Sequence, residues 1–224
     1  MRDHRPRMGQ TEIRRAEPRW PALIATLAIG ILFYAMPATL IIGPRWLLIA
    51  IVGILAIPLT ISSRIRLLHL NQVLAYISLS FVTLAVISSL GLLIVRLPAH
   101  KETPVQLLTA AAALWIGNML VFASWYWRLD GGGPNERDRR GIHTDGAFLF
   151  PQMMMDPALR KQMAEDKWSP GFVDYLFLAF NTSTAFSPTD VPVLSRWAKA
   201  MMMVQSSISL ATLAILAARA INIL

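Results

Sequence analysis

Long apolar runs alternate with short charged ones along almost the whole chain. The first 19 residues are polar and carry Arg2, Arg5, Arg7, Arg14, Arg15 and Arg19 against Asp3, Glu12 and Glu17. Four apolar runs follow, at Trp20 to Ile42, Trp46 to Ser62, Leu70 to Val95 and Pro104 to Trp127, each close to the roughly 20 residues that carry a helix across a bilayer core. Pro37 falls inside the first run and predicts a kink there. Trp125, Tyr126 and Trp127 end the fourth run and read as an interfacial aromatic belt. Three glycines and Pro134 then stop the helix. The charged stretch 135–145 reads as solvated, and Asp156-Pro157 reads as the capped start of a surface helix.

The last apolar stretch, Phe172 to Leu224, has a different grain. Phe172 to Phe186 is only fifteen residues, and it contains Asn181, Thr182, Ser183 and Thr184 in a row. Ser187, Pro188, Thr189 and Asp190 follow, then a long apolar helix from Trp197. A segment this short either dips in as a re-entrant half-helix or stretches to Val191 and crosses as a strained span. Irregular backbone at membrane depth requires protein or water around it. On the final helix Gln205, Ser209, Thr212 and Arg219 share one face, and Ser207, Ala211, Ala214 and Ala218 form a small-residue seam on another. The predicted fold is therefore all-α, a polytopic integral membrane bundle with a short pore-helix-like segment before the last span. Its regions are a basic cytoplasmic tail (1–19), a four-helix transmembrane region (20–128), a cytoplasmic or interfacial linker (129–171) and the half-helix, turn and final helix (172–224).

Composition agrees. The chain is 55% hydrophobic and 15% charged, whereas a soluble domain is about a quarter charged. The net charge of +8 is spread between apolar runs, which suits loop charges rather than a compact nucleic-acid surface, so no nucleic acid is expected. With a cytoplasmic N-terminus, the inside segments of the first four spans hold twelve basic residues and the outside loops hold three, Arg45, Arg96 and Lys101. That bias predicts N-terminus-in topology and a cytoplasmic 128–170. The expected location is a bacterial or archaeal plasma membrane.

Chemistry is sparse. There is no cysteine, and His4, His69, His100 and His143 sit in different loops without ligand spacing, so neither a metal nor another cofactor is expected. Met153–Met155 and Met201–Met203 point to different sides of a helix and do not converge on a soft ion. No HExxH or GxSxG motif and no carboxylate cluster in the spans points to an enzyme. Asn118, deep in the fourth run, must meet protein or water, as structural glue or as a pore-lining amide. Asp174 and Asp190 can each cap or pair locally, or contribute to a carboxylate ring that concentrates cations.

The run Phe180-Asn181-Thr182-Ser183-Thr184-Ala185-Phe186-Ser187-Pro188-Thr189-Asp190 resembles the pore module of two-helix potassium channels. There an aromatic-rich pore helix leads into Thr-x-Thr, a filter, an Asp and an inner helix. Thr182, Thr184 and Asp190 match that pattern. Ala185 to Thr189 stands where the family has Thr-Val-Gly-Tyr-Gly, and without the glycines a carbonyl-lined potassium filter is not expected. The whole chain is also similar to a bacterial family of uncharacterised integral membrane proteins, through Asp174, Tyr175, Phe180, Phe186 and Asp190. The channel resemblance implies a cation pathway in a homo-oligomer, with Asn181, Thr182, Ser183, Thr184, Ser187, Thr189 and Asp190 near the turn and Gln205, Ser209 and Thr212 along the last helix. Monovalent cations are the expected cargo and the lipid bilayer the surroundings. A non-conducting scaffold or assembly protein is the second expectation, and a secondary transporter the third.

Overall fold

The computed structural model describes residues 17–65, 67–96, 103–140, 143, 146–165, 168–184 and 191–221, without the side chains of 63, 64 and 219–221. Among these residues the fold is all-helical, with α1 (Trp20–Ala35), α2 (Trp46–Arg64), α3 (Leu68–Arg96), α4 (Pro104–Leu129), α5 (Pro134–Arg140), α6 (Pro151–Met154), α7 (Pro157–Gln162), α8 (Phe172–Thr184) and α9 (Arg196–Ile221). Three helical segments are long and apolar enough to cross a membrane, Leu68–Arg96, Pro104–Arg140 and Arg196–Ala218. Trp20–Ala35 and Trp46–Ser62 are apolar but shorter. The outer faces are greasy, with Ile54, Leu84, Val105 and Leu210 exposed, while Asn118, Gln205, Ser209 and Thr212 are buried. That distribution suits lipid surroundings, in which burying a hydrocarbon side chain gains little and every polar group needs a partner inside.

The first helix departs from expectation. Pro37 does not kink α1; it ends it. Met36 is extended at φ −73, ψ 155, and a 3₁₀ turn at Ala38–Leu40 follows. A proline crowds the residue before it out of the helical region, so the helix stops there and spans 16 residues.

Helix α4 is the centre of the bundle. It packs on α1, α3, α8 and α9, and its faces at Ala110, Ala111, Ala113 and Gly117 let neighbours approach closely. Its start is fixed by a capping box, in which Gln106 N donates to Thr103 Oγ1 at 3.3 Å and Thr103 N donates to Gln106 Oε1 at 2.9 Å. Its exit is not an aromatic belt, because Tyr126 and Trp127 are fully buried. Successive helical residues lie about 100° apart. Trp125 therefore stacks on Tyr76, Tyr126 meets α9, and Trp127 meets Phe172 and Glu17. After α5, residues 147–149 pair with 192–194 through Leu149 N to Pro192 O at 2.9 Å and Leu194 N to Ala147 O at 2.8 Å. Asp156 caps α7 by accepting from Ala158 N at 2.8 Å, as its Asp-Pro start predicts.

Candidate functional site

Two polar centres lie on either side of one element, α8. The first is a buried charged cluster at the end of the bundle where α4 stops. Gly131, Gly132 and Gly133 take φ of 58, 80 and 89, a left-handed turn that a side chain strains to adopt. The turn folds α5 back so that Arg137 Nη1 donates to the carbonyls of Trp127 at 2.9 Å and Asp130 at 2.6 Å. A cation thus sits on the negative end of α4. The same guanidinium pairs with Glu17 at 2.9 Å, and Trp127 Nε1 donates to the other oxygen of that carboxylate. Burial pushes the Glu17 carboxyl above its ordinary value, with Arg137 pulling the other way.

Asp130 is fully buried beside this pair. Tyr175, from the first turn of α8, donates its hydroxyl to Asp130 Oδ2 at 2.6 Å, and Ala147 N donates to Oδ1. Arg137 lies 5.4 Å from the Tyr175 ring centre. His143 Nε2 comes within 3.1 Å of Asp130 Oδ2, though neither ring nitrogen completes an aligned hydrogen bond. The imidazole fits because its neighbours are glycines. A Cβ on Gly146 would stand 2.5 Å from His143 Nε2, and one on Gly131 would stand 3.1 Å from Cε1. Residues 135–145 were expected to be solvated; Arg137 and the imidazole of His143 are instead buried, because each has an acidic partner from another part of the chain. Among the described residues no group of three His, Cys, Asp or Glu side chains could hold a metal ion.

The second centre lies deeper, between α4, α8 and α9. Helix α8 starts at the cluster, where Phe172 packs on Trp127. Its far end reaches Trp115, whose Nε1 donates to Ser183 O at 3.4 Å. Helix α9 starts at the same end as α8. Phe148 packs on both Tyr175 and Trp197 and pairs with Val193. Lower down, Ser206 Oγ donates to Thr182 O at 3.3 Å. Tyr175 to Thr182 and Trp197 to Ser206 are descents of similar length, so α8 and α9 run in parallel. The chain that leaves Thr184 deep in the bundle has returned by Val191 to the end where α8 began. Among the described residues α8 and α9 thus begin at the same end of the bundle.

Gln205 ties the three helices together. Its Nε2 donates to Ala179 O and to Ser183 Oγ, each at 2.7 Å, and its Oε1 accepts from Tyr126 OH at 2.6 Å. Asn118 Nδ2 donates to Gln205 O at 3.1 Å and to Ser209 Oγ at 2.9 Å, while its Oδ1 is buried without a donor. Thr182, Thr184 and Thr212 bond back to their own helices, at Leu178 O, Phe180 O and Ile208 O. Asn181 is half-buried.

The structure therefore brings Asn118, Ser183, Gln205 and Ser209 into one network and sets Thr182 beside it. Thr212 is buried one turn beyond Ser209, and Thr184 and Asn181 lie at the rim. The polar face of α9 is turned into its own chain, whereas Ser207 and Ala214 on the small-residue seam face outward. Ser187, Thr189 and Asp190 lie outside the described residues, as does the side chain of Arg219. Asp174 accepts from Gly171 N at 2.7 Å, the local capping contact. Sequence reasoning did not pick out Asp130, Arg137, His143 or Tyr126. The one available signal was an acid immediately followed by three glycines, which marks a turn and does not name a partner. Compared with family models, with curated proteins and with solved structures, the chain matches none.

Proposed function

We propose that this is a channel-like membrane protein in which the re-entrant α8 and the start of α9 form a pathway for a small cation, without the glycine filter of potassium channels. The observation that carries the reading is the half-helix itself, which sinks into the bundle as far as Thr184, while Pro192 and Val193 lie again at the end where it began. The C-terminal end of a helix bears partial negative charge and favours cations, and half-helix ends at depth serve ion sites in membrane proteins. At that depth Asn118 Oδ1 is a buried acceptor with no donor, next to Ser209. Asp190 would set the charge at the mouth. The twelve-to-three bias of basic residues supports a cytoplasmic N-terminus in a bacterial or archaeal plasma membrane. In that orientation α8 enters from the cytoplasmic side, and a homo-oligomer would gather several such units.

Purified protein in liposomes should pass potassium or sodium down a gradient, and Asn118→Leu and Asp190→Asn should each reduce the flux. No flux under any ionic gradient refutes the reading. One observation favours a second, non-conducting scaffold or assembly role. Gln205, Ser183, Tyr126 and Ser209 use one another's hydrogen bonds, as interhelical glue does. On that reading the liposomes stay tight and a fixed partner copurifies.

A further inference from the structure

The bundle of α1 to α4 is filled at one end and hollow at the other. Away from the charged cluster its centre is closed by Phe33 and Val86, packed over Gly117. Toward the cluster, small side chains at Ala22, Ala56, Ala75, Ser78 and Ser124 leave a cavity of about 240 Å³. Helices α1 and α3 face each other across it and touch little, because α2 and α4 hold them apart. Leu23, Val52, Leu59 and Leu79 complete largely aliphatic walls. From Asn71 to Leu79 the cavity runs along eight residues of α3, a depth of about 12 Å at the helical rise.

The mouth is basic. Arg19 and Arg128 stand there with Asn71. Arg19 is engaged by Asp138 at 2.8 Å and by Asn135. Arg128 is different. Among the described residues it has no carboxylate within ion-pair distance, and one N–H donates to Asn71 Oδ1 at 3.1 Å. A guanidinium has five N–H donors, so most of this one's capacity is unspent. The group is also held in place. It lies 5.0 Å from the Trp127 ring centre, and Asn71 is fixed by donating to Leu59 O at 2.8 Å and to Ser62 Oγ at 3.1 Å. Glu17 is already taken by Arg137 and Trp127.

A positioned, unneutralised guanidinium over an aliphatic slot within a greasy exterior fits one ligand chemistry, an anionic head on a hydrocarbon chain. Planar guanidinium donors match phosphate oxygens, and basic pockets between membrane helices take lipid headgroups. We infer that this cavity binds one anionic glycerophospholipid, its phosphate on Arg128 beside Asn71 and the upper part of one acyl chain between α1 and α3. The site is separate from the re-entrant unit and stands whether or not that unit conducts.

The test is native mass spectrometry of the full chain released from nanodiscs of equal phosphatidylglycerol and phosphatidylcholine. One phosphatidylglycerol should stay bound per chain in preference to phosphatidylcholine. Arg128→Gln should lower its retention by about tenfold, the scale of one lost charge-assisted contact. Ala75→Leu, which fills the slot and leaves every charge in place, should lower it as well. Equal retention of the two lipids overturns the inference, as does undiminished phosphatidylglycerol on either variant. So do retention of a free fatty acid in its place and equal thermal stabilisation by inorganic phosphate alone. The lipid preference of the unaltered chain decides the matter even if a variant does not fold.

Discussion

Replacing Tyr175 with phenylalanine removes one oxygen and leaves the ring packed on Phe148 and Phe150. What is lost is the 2.6 Å bond to Asp130 Oδ2, made between two residues that are both fully buried. A hydrogen bond to a charged group contributes about 1.5–3 kcal/mol net. For a chain of this size each kcal/mol moves the midpoint by about 2–4 °C, so the variant should melt about 3–12 °C lower. The assay is thermal unfolding in detergent, followed by tryptophan fluorescence, with Tyr34→Phe as the control because Tyr34 is 57% exposed. A cycle with Asp130→Asn should return a coupling of about 0.5–3 kcal/mol, as contacting residues do. Hydrogen exchange should rise first in α8, since this bond pins its opening turn to the glycine turn after α4. A Tyr175→Phe midpoint equal to that of the unaltered chain, with effects that simply add to those of Asp130→Asn, refutes the claim that this contact seats α8.

Three further substitutions test the turn, the helix interior and the deep network. Gly133→Ala places a Cβ 2.6 Å from the Arg128 carbonyl oxygen at φ +89 and should cost at least about 1–3 kcal/mol. Gly53→Ala, which meets nothing within 4 Å inside α2, should be neutral or stabilising by about 0.5–1 kcal/mol in the same melt. Gln205→Leu leaves Tyr126 OH and Ser183 Oγ without their partner and should cost about 1–3 kcal/mol. An unchanged midpoint there would mean that the three helices are held by packing alone.

Much of this fold was legible because helix length and apolarity are local properties. Leu68–Arg96, Pro104–Leu129 and Arg196–Ile221 match their apolar runs closely, and Asp156-Pro157 starts a helix as it should. The short Phe172 segment with its polar end left two paths open, because its partners on α9 lie more than twenty residues further on. Pairing was not legible. Glu17 meets Arg137 across 120 residues and Tyr175 meets Asp130 across 45. No pattern within the charged stretch 135–145 says that Arg137 and His143 leave solvent while Arg139 stays in it. The run from Trp125 to Trp127 misled for a related reason. Aromatic residues at a helix end suit headgroups, but here each had a partner waiting on a different neighbour.

The packing of α8 between α4 and α9 also bears on how the chain is made. When α8 leaves the ribosome, the groups that hold its polar tip, Gln205 and Ser206, have not been synthesised. At that stage α8 can already pack on α4, with Phe172 on Trp127 and Tyr175 bonded to Asp130, but the side-chain partners of its polar tip on α9 are missing. The polar tip of the half-helix is therefore sealed only as α9 arrives. A nascent chain arrested shortly after Val191 should leave Ser183 open to a water-soluble label, and extension past Ser209 should close it.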